Sequence, residues 1–293
     1  MAKEETPFQR FVSNYFESKL AIVGLVLLTL VILIALFAPY ISPQNPYDLA
    51  QIDLLDGKLS PGERSAAGAV HVLGTDDQGR DMLSGIFYGL RISLGVGVMS
   101  TVIALAIGLF FGLIAAYFGG RVDTLIMRFA DIQLSFPAIL IALILLAVLG
   151  QGTDKIIISL VTVQWAYYAR TVRGAALVER SKEYIEAAQG LALGAPRIVF
   201  RHLLPNVMPP LIVVATVQVA HAIQLEAALS FLGLGLPITE PSLGLLISNG
   251  FQYLMSGKYW ISFYPGVALL ITIVAINLVA DQLKDVLNPR LQK

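Results

Sequence analysis

Long apolar runs separated by shorter polar stretches dominate the chain. The runs fill 20–40, 93–118, 135–150, 156–172, 207–230 and 260–281. A bilayer core takes about 20 apolar helical residues, so each run is a candidate membrane span. The third and fourth are short. Ser135-Phe136-Pro137 offers a capping serine and a helix-starting proline for the third, and an amphipathic run from Val122 offers an earlier start. The fourth is expected to continue beyond the membrane as a helix through Arg170 and Arg173. Ser84–Leu94 reads as an interfacial helix leading into the second span. The pattern predicts an all-α integral membrane protein with six transmembrane helices.

The polar stretches set the organisation. Residues 1–19 form a charged tail, and 20–293 form one six-helix domain. The apolar run from Leu20 to Ala38 exceeds the roughly 7–15 residues of a cleavable signal core, and Ala35-Leu36-Phe37-Ala38 is a poor cleavage site. It is read as a retained first span. Lys and Arg favour the cytoplasmic side. With the N-terminus inside, the outer segments hold only Lys58, Arg64, Arg80, Arg91, Lys155 and Lys258, a bias of more than two to one toward the inner ones. Both termini and the 173–206 loop are then cytoplasmic, and 41–92 is external. That external segment is too long for a simple turn, so it either folds over the outer mouth or meets a partner there.

Composition narrows the functional classes. Of 293 residues, 56% are hydrophobic and 14% charged, and mean hydropathy is +0.74. Soluble domains carry about 25% charge. The net charge of +0 gives no basis for a nucleic-acid partner. The absence of cysteine removes disulfides and thiolate chemistry, and three histidines make a His-based metal cluster unexpected. Neither a G-x-x-x-x-G-K-[ST] phosphate loop nor a G-x-S-x-G or H-E-x-x-H motif occurs, so no ATPase or hydrolase site is visible.

The 173–206 loop carries a helix–turn–helix pattern. Arg173 to Gly190 is rich in good helix formers, and Gly190 and Gly194 are expected to break it. Pro196 suits the start of a second helix, which Pro205 is expected to stop before Pro209-Pro210 open the next span. Ile198, Val199, Phe200, Leu203 and Leu204 give that helix an apolar face, and Arg197, Arg201 and His202 a basic one. A solvated loop has no need of such a ridge. A helix seated in a partner's groove does.

Few polar groups lie within the spans. A carboxylate costs roughly 2.5–3.5 kcal/mol at the centre of a bilayer, so Glu226 needs a reason. It sits about 28 Å along its helix from Val207, near the outer interface. One reading makes it a polar group at the outer mouth of a translocation path, with His221; the other makes it a packing hydrogen bond. His221 and Gln224 are its nearby polar residues, at separations poorly suited to a shared face. Ala104, Gly108 and Gly112 recur every four residues, which suits close helix packing more simply than a gate. Arg128–Asp131 and Asp281–Lys284 are spaced as weak i,i+3 pairs.

Several motifs carry a family resemblance. Glu186-Ala187-Ala188, followed by Gly190, Leu193, Gly194 and then Leu204-Pro205-Asn206, resembles the cytoplasmic coupling (EAA) loop of type I ABC importer permeases. The family commonly has Gly where this chain has Ala192, so the turn is either shifted or shaped differently. Leu73-Gly74-Thr75-Asp76-Asp77-Gln78-Gly79-Arg80-Asp81 is similar to the external signature of the dipeptide/oligopeptide/nickel permeases. Met127–Asp131 with Ser135–Pro137, Leu229–Gly235, and Asn277, Asp281, Asp285 and Asn288-Pro289-Arg290 also fit. The chain looks like the second of the two permeases in such systems.

The resemblance implies a type I ABC importer permease fold in a bacterial inner membrane. It implies a second homologous permease, two cytoplasmic ATP-binding subunits and an external substrate-binding protein, with lipid around the bundle. ATP and magnesium would sit on the ATP-binding subunits and no cofactor on this chain. The implied substrate is a short peptide, with nickel chelates, glutathione, opines and oligosaccharides carried by relatives. A stand-alone secondary transporter or channel would need a mid-membrane ionisable relay or broken helices there.

Overall fold

The computed structural model describes residues 6–287, and Asn288-Pro289-Arg290 lie outside the described residues. Its elements are helices: α1 (Pro7–Phe16), α2 (Lys19–Ile41), α3 (Met82–Phe118), α4 (Gly120–Leu134), α5 (Ala138–Leu149), α6 (Thr153–Arg180), α7 (Glu183–Gly190), α8 (Ala195–Ile198), α9 (Leu204–Phe231), α10 (Leu243–Phe251) and α11 (Trp260–Leu287). A π-helical turn, Val199–Leu203, joins α8 to α9. Among the described residues β structure is limited to two isolated bridges. Helices α2, α3, α11 and the continuous Ala195–Phe231 are long and apolar enough to cross a membrane. The pair α4–α5, bent by 87°, is a fifth by length and composition. Helix α6 is long enough too, but it carries Asp154, Lys155, Arg170, Arg173, Glu179 and Arg180.

The seam between α3 and α6 organises the bundle. A Cβ added to Gly108 would lie 2.3 Å from the Tyr168 Cβ, and one on Gly112 would lie 2.6 Å from the Ala169 carbonyl oxygen. Ala104 is fully buried on the same face. The four-residue spacing therefore serves packing within the bundle. Helix α2 joins against α11, where Gly24 meets Leu278. The tail is structured in part: a Thr6–Gln9 capping box starts α1, whose Phe11 and Tyr15 pack on Leu283 and Val286 of α11.

Several boundaries differ from the sequence expectation. Ser84–Leu94 belongs to α3 itself, because Asp81 caps that helix by accepting from the Ser84 backbone N–H (2.8 Å) and hydroxyl (2.7 Å). Ser135 does not cap α5; its hydroxyl donates back to the Asp131 carbonyl (2.7 Å), and Pro137 occupies the cap position. Helix α6 does run through Arg170 and Arg173, but it stops at Arg180, so 173–190 is not one helix. Pro205 does not end a helix, and Pro209 and Pro210 lie inside α9. The π turn absorbs Pro205: the Leu204 N–H reaches back five residues to the Val199 carbonyl, widening the helix where a proline ring would otherwise clash.

The 41–92 segment, expected to be external, folds over its own bundle. The Thr75 hydroxyl donates to the Asp56 carbonyl (2.6 Å), and the Trp260 indole N–H donates to the Thr75 carbonyl (3.2 Å). Arg80 Nε pairs with Asp76 at 2.6 Å, while its Nη1 donates to the Ile238 carbonyl. Gly79, at φ +81°, passes so close to Asp53 that a Cβ would lie 2.0 Å from that carbonyl oxygen. The signature 73–81 is thus a tight structural knot.

Overpacking of a close-packed core costs about 1–3 kcal/mol or more. Gly108→Val is expected to lower the thermal midpoint of the detergent-solubilised chain by several degrees or to prevent its accumulation. Gly174→Ala, where a Cβ meets nothing within 4 Å, leaves the midpoint unchanged or higher.

Candidate functional site

The loop between α6 and α9 is a small folded unit seated on the bundle end. Ile185, Ala188, Ile198 and Leu203 are buried in one cluster with Leu113 and Ala116 of α3, Val172 and Ala176 of α6, and Val207 and Leu211 of α9. The apolar ridge expected to meet a partner is therefore largely used internally: Ile198 and Leu203 are buried and Val199 and Leu204 partly so. What remains outside is a mixed face. Phe200 is 63% exposed and Leu191 75%, beside exposed Glu186, Ala187, Gly190, Gly194, Arg197, Arg201 and Pro205. Leu193 and His202 are half-buried.

The turn is built on Ala192. The Ala192 N–H donates to the Gln189 carbonyl (2.9 Å) and the Leu193 N–H to the Ala188 carbonyl (3.2 Å). This pair of bonds is the Schellman helix ending, with Leu193 folding back on the apolar cluster. Its left-handed position usually takes glycine. Here Ala192 adopts it at φ +54°, while Gly190 stays helical and Gly194 is extended. The turn is not shifted onto a neighbouring glycine; the alanine bears the strain.

Polar braces hold the base. Glu179 accepts from the Tyr184 hydroxyl (2.8 Å) and from Lys182 (2.6 Å). Asn206 Nδ2 donates to the Tyr184 oxygen (3.2 Å) and to the His202 carbonyl (2.7 Å). Burial, and then the bond to Glu179, push the Tyr184 hydroxyl up to about 12. Arg173 grips Asp123 of α4 with two nitrogens, its Nη2 at 2.6 Å, and Arg180 donates to the Ala116 carbonyl (2.8 Å). Asp131 pairs with Arg170 of α6 rather than with Arg128, because the α4–α6 contact brings the longer-range partner closer. No Asp281–Lys284 pair forms among the described residues.

A trough runs from this base along α9. A cavity of about 720 Å³ opens beside Asn206, Pro209, Pro210, Glu179 and Lys284. A second, of about 440 Å³, continues past Gln164, Gln224 and Leu225. They share Tyr167, Gln218 and His221. Asn206 to Gln224 spans about 27 Å of helix, close to the thickness of a bilayer core. His221 thus lines the trough. Glu226 does not. It is 0% exposed, and its carboxylate accepts from Ser93 of α3 (2.8 Å) and Ser230 (2.7 Å), rather than engaging His221 or Gln224. Gln164, Gln218 and Tyr167 were missed by the sequence reading. Gln218, His221 and Gln224 recur every three residues, a polar stripe legible in an otherwise apolar span.

Among the described residues no cluster of His, Asp and Glu suits a metal ion.

A left-handed residue with a Cβ costs roughly 1–2 kcal/mol. Ala192→Gly is expected to stabilise the chain by about 1 kcal/mol and Ala192→Val to destabilise it, read as opposite shifts in thermal midpoint. Tyr184 supplies a pH dependence. Between pH 10.0 and about 12 the unfolded chain sheds this proton while the folded chain keeps it, so loop stability falls as pH rises. Hydrogen exchange in 183–206 should quicken over that window, and Tyr184→Phe should flatten the change.

Residues 108–293 match the family described as binding-protein-dependent transport system inner membrane component, and residues 6–61 match the N-terminal TM domain of oligopeptide transport permease C. The dipeptide transport system permease protein DppC of Escherichia coli is 41% identical, over 98% of this chain and 95% of that protein. The oligopeptide transport system permease protein OppC of Bacillus subtilis is 39% identical, over 97% and 88%. The di/tripeptide permease DppC of Pseudomonas aeruginosa is 36% identical, over 98% and 93%. The inward-facing MetNI methionine ABC transporter shares the fold, with a TM-score of 0.56 at 22% identity over 70% of this chain and 97% of that one. The chain belongs to the binding-protein-dependent inner-membrane permeases of ABC transporters, in the branch of DppC and OppC.

Proposed function

We propose that this permease carries short peptides into the cytoplasm, from an external binding protein, by alternating access. The substrate class follows the names of the relatives. Helix α6 is the sixth crossing, sheltered by α3 and α9, and both termini lie inside, as the Lys and Arg distribution favours. The chain pairs with a second homologous permease and works with two cytoplasmic ATP-binding subunits, which bind the ATP and magnesium. It supplies no catalytic group of its own.

The observation that carries this reading is the split character of the 181–206 unit. One face is locked into the bundle by Ile185, Ala188, Ile198 and Leu203, and the other offers Phe200, Leu191, Glu186, Arg197 and Arg201. A unit rigid on one side and free on the other transmits a push. The braces Arg173–Asp123 and Arg180–Ala116 pass it to α4 and α3, and the trough mouth at Pro209 and Lys284 lies beside it. His221 and the glutamines line the path. They offer hydrogen-bond donors and acceptors that suit peptide groups of any sequence.

The test is co-purification with the partner subunits and ATPase assay with and without substrate-loaded binding protein. Glu186→Lys, Gly190→Pro and Phe200→Ala are each expected to cut the stimulated rate about tenfold or more, as loss of an interface anchor does. Full assembly should survive Phe200→Ala. A chain that purifies alone, transports without ATP and ignores these changes overturns the reading.

A further inference from the structure

A third cavity, of about 700 Å³, lies on the opposite side of α9 from the trough, between α2, α3, α9 and α11. Its walls are almost wholly apolar, with Leu36, Val98, Val102 and Ile212 exposed along it. Gly95 lies in its wall, and a Cβ there would meet nothing within 4 Å, so this glycine leaves open space rather than a helix contact. At one end stands a single cation, Arg91. It is exposed and, among the described residues, has neither a hydrogen bond nor an ion pair.

Position along α3 fixes the depth. From Arg91 to Gly119, where α3 ends, the helix rises about 42 Å, matching the roughly 40–45 Å of a bilayer with its headgroups. Arg91 therefore lies at headgroup level on the side of the folded external segment. The groove runs from Arg91 to Leu105, about 21 Å. That is one headgroup layer plus half of a roughly 30 Å hydrocarbon core. Its floor, at Leu28, Leu105, Ile212 and Ile276, is at mid-bilayer. A crossing helix from another subunit would need a groove of full core length.

We propose that this groove is a binding site for one phospholipid of the outer leaflet, its phosphate on Arg91 and its acyl chains against α3 and α9. Arginine suits the phosphate because its fork donates two parallel hydrogen bonds. The occupied groove fills the space between α2 and α9, so the lipid acts as a packing element of the permease.

The full chain is reconstituted in vesicles of phosphatidylethanolamine and phosphatidylglycerol, extracted in mild detergent, and its retained lipid measured by native mass spectrometry. Wild type and Arg91→Lys should hold one phospholipid per chain. Arg91→Gln should hold at least tenfold less, and Gly95→Leu, which fills open space, should hold none while keeping the wild-type elution profile. Equal retention in all four, or none in wild type, overturns the site. The chain has no native cysteine, so Gly95→Cys provides a unique probe. Its cross-linking to another permease polypeptide in native membranes would likewise overturn the lipid assignment.

Discussion

The close approach of α3 and α6 is the contact on which the rest depends. In a bilayer the surroundings are as apolar as the side chains, so burying Leu or Val between helices gains little over leaving them in lipid. Helices associate where their backbones come near enough for dispersion and polar contacts to add up. Ala104, Gly108 and Gly112 provide that nearness, and Tyr168, Ala169 and Val172 fill it. Once α6 is locked there, its far end places Arg173 and Arg180 against α4 and α3, and the 181–206 unit acquires a floor.

Polar groups inside the bundle follow a companion rule: with no water nearby, each needs a protein partner. Glu226 takes hydroxyl donors from Ser93 and Ser230 and ties α9 to α3. Trp260, at the start of α11, reaches the Thr75 carbonyl, and Arg80 reaches that of Ile238. The segment between α2 and α3 is thereby held to the ends of several helices at once. Polar residues without such ties, Gln218, His221 and Gln224, face the trough instead.

The 181–206 unit is where the local backbone rules bend. Ala192 sits in a glycine conformation, and a π turn lets Pro205 pass within a continuous helix. Both deviations lie beside the exposed Phe200 and Leu191, and both are held by packed neighbours, the half-buried Leu193 and the buried Leu203. Strain of this kind persists only where the surroundings over-determine it.

Much was legible in the sequence alone. Long apolar runs determined where helices lie, because the bilayer demands helices of a set length. The polar interval holding Glu186, Arg197, Phe200 and Pro205 determined where the folded unit between α6 and α9 would be. Which face each helix turns inward was decided only by the tertiary structure. In water, apolar residues mark the inside; in lipid they fit either side, so Leu146 and Ile144 of α5 are equivalent by composition and opposite in burial. The same ambiguity hid the partners of Glu226 and the pairing of Asp131 with Arg170, since both join residues from distant parts of the chain. Helical period says which residues share a face. Only packing says what that face meets.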